Sequence, residues 1–95
     1  MNVEKAKKRI AKRVKMGFKG YPQLTLMYFG ESLDLANEVI AVFVLEDGAS
    51  PQEQRFSSKG NVREDEFIQS ALVKIIERTE VKSVLEVQGT SILPH

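Results

Sequence analysis

The fold is decided by residues 23–45, QLTLMYFGESLDLANEVIAVFVL, where two stretches rich in β-formers flank a polar connection. From Gln23 to Phe29, Leu24, Leu26 and Tyr28 alternate with Thr25, Met27 and Phe29, the period-two pattern of a strand. Gly30 to Asn37 is polar and acidic. Glu38 to Leu45 then places Val39, Ala41, Phe43 and Leu45 on one face and Ile40, Val42 and Val44 on the other. A strand that is apolar on both faces is normally central and covered from both sides, and that cover is expected here.

Working outward, Glu46 to Pro51 contains Asp47-Gly48 and Ser50-Pro51 and reads as a turn. Gln52 to Ser58, centred on Phe56, is a third, more exposed strand that completes an antiparallel meander. Asn61 followed by Glu64 has the form of a capping box, and Glu64, Asp65 and Glu66 put negative charge where a helix dipole favours it. A helix is expected from there, with Phe67, Ile68, Ala71, Leu72, Ile75 and Ile76 as its apolar stripe and Arg78 in its last turn. Val81 to Val87 reads as a last strand, closed by Gly89.

Upstream, Val3 to about Met16 lacks Gly and Pro and is dominated by Ala, Lys and Arg, which predicts a helix. Gly17, Gly20 and Pro22 stop it and turn the chain. The order α-β-β-β-α-β predicts a single α+β domain over 1–95, an antiparallel sheet with two helices packed on one face. Its parts are a basic helix at about 3–16, an acidic body at 21–89 and a flexible tail at 90–95.

Charge is divided unevenly along the chain. Residues 1–20 hold eight of the fourteen Lys and Arg and a single acid, Glu4, whereas the remainder holds six basic residues and twelve acids. On a helix, Val3, Ala6, Ile10 and Val14 share a narrow apolar stripe. Lys5, Lys8, Arg9, Lys12, Arg13 and Lys15 fall on the opposite side within an arc of roughly 160°, with Lys7 at the border of the stripe. Several spaced cations on one rod suit the row of phosphates of a nucleic acid, RNA or DNA, and bind it largely without reading sequence. Phe18 and Tyr21 flank Lys19 in the Gly-rich turn and are placed to add base stacking. Tyr28 and Phe29 are assigned to the core or to the sheet surface. The contrasting expectation is a protein-interaction module. Its helix would meet an acidic protein partner or a second copy as a homodimer, or its third strand would accept a partner strand at an unprotected edge.

Other chemistry is narrowed by composition. The chain has no cysteine, which removes thiol nucleophiles, disulfides and thiolate metal sites, and its one histidine is the final residue, His95. Glu64, Asp65 and Glu66 are consecutive and point apart on a helix, so capping rather than metal binding accounts for them. Glu31, Asp34 and Glu38 on the acidic loop lack an EF-hand pattern. No phosphate-binding loop, dinucleotide fingerprint or nucleophile elbow is present, so the expectation is a non-enzymatic protein without cofactor or metal. No membrane partner is expected, because the apolar stripe of the first helix lacks the large side chains of an interfacial helix and no apolar span of 18 residues occurs. A cytoplasmic location follows as an expectation from these features together. The order helix, three strands, helix resembles that of double-stranded-RNA-binding domains. Those domains carry their basic cluster at the start of the second helix, where this chain has Glu64, Asp65 and Glu66, so the resemblance is one of topology alone.

Overall fold

The strand of residues Gln23–Gly30, β1, holds the sheet together because it pairs on both of its edges. On one side β2 (Glu38–Val44) runs antiparallel to it, from Gln23 opposite Val44 to Phe29 opposite Glu38, and β3 (Gln52–Ser57) continues the meander. On the other side β4 (Ser83–Glu86) runs parallel to β1, and β5 (Ser91–Ile92) pairs in parallel with Phe29 and Gly30. With helices α1 (Val3–Lys15) and α2 (Glu66–Thr79) the molecule is an α+β fold in the expected order. It is a computed structural model that describes residues 1–92, so His95 and the end of the expected tail lie outside the described residues. Ser91 and Ile92, assigned to that tail from sequence, instead extend the sheet.

The sheet is mixed where an antiparallel one was expected. β3 lies at one edge, and the chain crosses back over the sheet through α2 before it reaches the far side of β1. A crossover of that kind returns the next strand in the parallel sense.

Two residues more separate β4 from β5 than separate their partners on β1, so the chain bulges outward at Val87–Thr90. Arg63 holds the bulge. Its Nη1 donates to Thr90 Oγ1 at 2.9 Å and its Nη2 to the Gly89 carbonyl at 2.7 Å, while its guanidinium lies 4.1 Å from the centre of the Tyr28 ring.

Both helices lie on one face. Leu24, Leu26 and Tyr28 of β1, Val39 and Ala41 of β2 and Val84 of β4 form the core layer beneath Ala6 and Ile10 of α1 and Ile68, Leu72, Val73 and Ile76 of α2. The cover expected over both faces of β2 is therefore present on one only. Ile40, Val42 and Val44 point to the other side. Ile40 is only 7% exposed yet belongs to no part of the core cluster, being shielded by its neighbours on the same sheet surface.

α2 differs from its sequence reading at its start and in its rotation. Asn61 caps a single 3-10 turn at Val62–Glu64, its Oδ1 accepting from Arg63 N–H at 2.9 Å. Asp65 is the cap of α2 itself, its Oδ1 accepting from Ile68 N–H at 3.0 Å. Phe67, placed in the apolar stripe from its spacing, is 82% exposed, whereas Gln69 and Val73 are buried. Contact with α1 turns the helix toward that flank, and Gln69 is accommodated because its Nε2 donates to the Val62 carbonyl at 3.0 Å.

Leu72→Ala is expected to lower unfolding free energy by about 2–5 kcal/mol through a core cavity, whereas Phe67→Ala stays within about 0.5 kcal/mol. Urea titration of both variants checks the rotation of α2, and equal losses would refute it.

Candidate nucleic-acid interface

α1 forms because Asn2 caps it, with its side-chain oxygen accepting from Lys5 N–H at 2.9 Å, and because its dipole is matched at both ends. Glu4 stands in the first turn, and Lys12, Arg13 and Lys15 stand in the last. Burial of Ala6 and Ile10, with Val14 packed against the core, fixes its rotation as the stripe predicted. The six basic residues do not share one environment.

The flank of α1 that faces α2 uses its cations within the fold. Arg9 Nη1 is 3.2 Å from Glu77 Oε1, and Arg13 Nη2 donates at 2.6 Å to the Val81 carbonyl just before β4. Arg9 and Glu77 are both solvent-exposed, so their pair contributes at most about 1 kcal/mol. Lys7, at the border of the stripe, pairs with Glu64, and the hydrogen bond it donates to that carboxylate raises its pKa above the ordinary lysine value. The acidic start of the second helical region is thus divided between a contact to α1, through Glu64, and a cap, through Asp65.

Lys5, Lys8, Lys12 and Lys15 are exposed, and none forms an ion pair among the described residues. Their spacing of three, four and three residues sets them along roughly 15 Å of helix axis. Lys5 and Lys12 lie nearly in line on the outer face, and Lys8 and Lys15 lie nearly in line toward β4.

The turn after α1 brings Phe18 and Tyr21 together. Their ring centroids are 5.4 Å apart with an interplanar angle of 74°, an edge-to-face contact. Phe18 is 56% exposed and Tyr21 is half-buried. The turn is tied to the sheet through Ser83, whose hydroxyl accepts from Lys19 N–H at 2.7 Å and donates to the Gly20 carbonyl at 2.6 Å. Gly17 and Gly20 adopt φ of 72° and 112°, values in which a side chain would be strained.

Lys8 and Lys15 also overhang a cleft of about 460 Å³ between α1 and the sheet, floored by Ile10, Val14 and Tyr28 and flanked by Arg63 and Glu86. Burial pushes the Tyr28 hydroxyl above its ordinary pKa of 10.0, and the nearby Glu86 carboxylate adds to the shift, while a hydrogen bond with Gln69 and the Arg63 charge oppose it. Sequence reasoning did not find this group. Tyr28 and Arg63 lie 35 residues apart, and only the crossover places one above the other. Glu38, considered with Glu31 and Asp34 as a carboxylate cluster, instead accepts from the Ser57 hydroxyl at 3.0 Å and lies 3.8 Å from Arg55.

Compared with known proteins, the chain matches no family model, no curated protein and no solved structure. No helix among the described residues is long and apolar enough to cross a membrane.

The folded state keeps Tyr28 protonated to higher pH than the unfolded chain does. Its contribution to stability is therefore complete below about pH 10 and is lost as pH rises through the folded pKa. Tyr28→Phe should lose less stability than the parent chain between neutral pH and pH 11, as measured by denaturant unfolding. Parallel alkaline profiles would contradict this assignment.

Proposed function

We propose that the protein binds nucleic acid through its phosphate backbone, largely without reading sequence, on the lysines of the outer face of α1. The observation that supports this reading is that Lys5, Lys8, Lys12 and Lys15 remain exposed and outside any ion pair among the described residues. Phosphates along a strand supply spaced negative charge that such a row neutralises, with release of counterions. Arg9 and Arg13 take a lesser part because the fold already occupies them. Phe18, exposed beside Lys19 at the end of the helix, serves as a stacking surface for an unpaired base, with Tyr21 supporting its ring from the edge.

A second reading, a protein-interaction module, is favoured by a different observation: the apolar side of the sheet that neither helix covers.

Four phosphate contacts give a slope of log affinity against log salt of about −3.6 on duplex and about −2.8 on a single strand. Replacing Lys5, Lys8, Lys12 and Lys15 together with Gln should abolish binding to a fluorescent oligonucleotide at 50 mM salt, while Arg9→Gln changes affinity less than about threefold. Phe18→Ala should weaken binding to single strands by about 1–3 kcal/mol and leave duplex binding nearly unchanged. No binding of the parent chain at low salt, or a slope near zero, would remove the proposal.

A further inference from the structure

The sheet has a second face, and the register of its strands defines what lies there. Residues opposite one another across a ladder share a side, so Met27 and Phe29 of β1 stand with Ile40, Val42 and Val44 of β2 and Leu85 of β4. None of the six belongs to the core cluster, and both helices lie on the opposite side. The result is an aliphatic and aromatic surface across three adjacent strands with no layer packed on it. A sheet normally buries such a face against a second layer.

We infer that the cover is the same face of a second copy, stacked sheet against sheet across a twofold axis. Four strands about 4.8 Å apart and seven residues about 3.4 Å apart span roughly 400–500 Å² in projection. With the corrugation of side chains and the exposed Val87 beyond β4, that approaches the roughly 800 Å² of accessible surface each partner of a standard interface buries. Glu38, Glu53 and Arg55 carry the charge of this face, and Arg55 lies 3.8 Å from Glu38 of its own chain. Along β3, Glu53 and Arg55 point to this side, opposite Val42 and Ile40. A twofold axis lying across the strands brings Arg55 of each copy to Glu53 of the other.

Electrostatics also select this face over the helical one. Stacking through the sheets leaves the two basic helices on opposite outer surfaces, whereas association through α1 would press like charges together. A nucleic acid is a poor occupant, because Arg55 is the one cation that the paired strand residues place on this surface and it lies 3.8 Å from Glu38. The inference stands apart from the phosphate-binding proposal. Were both to hold, the dimer would present two lysine rows and bind long nucleic acids with an avidity that one row lacks.

Sedimentation equilibrium of the full chain in 0.5 M salt tests the dimer without electrostatic attraction to any polyanion. The expected result is a species of twice the 10.7 kDa chain mass, with Val42→Glu weakening association by roughly 100-fold or more while circular dichroism retains the parent spectrum. A parent chain that stays monomeric up to about 0.5 mM would overturn the inference, and so would a Val42→Glu variant that folds and still dimerises, a result that would place the contact at the β3 edge or elsewhere. Should Val42→Glu unfold, engineered cysteines decide in a chain that otherwise has none. Thr25→Cys, whose two copies face one another across sheets about 10 Å apart, should be joined by a bismaleimide of about that span at least tenfold faster than Lys74→Cys on the outer face of α2, and equal rates would overturn the inference. Oligonucleotide binding by monomeric Val42→Glu would leave the lysine row standing, so the two proposals fail separately.

Discussion

One-sided packing is the constraint on which the rest of the structure depends. β1 is hydrogen-bonded along both edges, and α1 and α2 press on the same side of it, so every other element takes its place from that strand. The core is a single layer of side chains between sheet and helices, made chiefly of aliphatic residues with Tyr28 at one end. Because this layer sets how α1 is rotated, it also determines which lysines stand clear of the fold and which arginines reach partners on α2 and before β4.

That rotation separates chemically similar residues into different roles. Arg9 and Arg13 lie toward α2 and the start of β4, where a carboxylate and a carbonyl meet them, and a guanidinium with several donors suits such fixed partners. Lys5, Lys8, Lys12 and Lys15 lie on the far side, where a flexible hydrated ammonium keeps its freedom. Of the acidic residues of the body, Glu64 and Glu77 pair with Lys7 and Arg9 of α1, so the polarity seen along the chain is only partly cancelled in space.

Arg63 shows how a polar residue organises an irregular region. Its fork spans the step between β4 and β5 while its plane rests on Tyr28, joining the 3-10 turn, the central strand and the last loop. Arg63 and Tyr28 also line the cleft beside α1. On the opposite side of the sheet Glu38, Ser57 and Arg55 group at the β3 edge, and the residues across β2, β1 and β4 are mainly apolar.

Much of this was open to reading in the chain itself. Local periodicity and punctuation determine the elements: alternation at Leu24, Leu26 and Tyr28, the Gly17 to Pro22 break, and the helical spacing of Ala6, Ile10 and Val14 all act over a few residues and need no partner. The candidate lysines were legible for the same reason, since their common face follows from helix geometry. Which of the six cations would be occupied was not, because Glu77 and Val81 lie almost seventy residues from Arg9 and Arg13. Asn61 looked like the cap of α2, yet the backbone spent one 3-10 turn before Asp65 took that role. Phe67 matched an apolar stripe that contact with α1 then rotated away from the core. The double-sided apolarity of β2 correctly marked two faces that call for cover, but the chain has only two helices and the crossover sets both on one side. Short-range geometry thus determined the parts, and the parallel return to β1, a contact between segments some sixty residues apart, decided which side of each part would meet water.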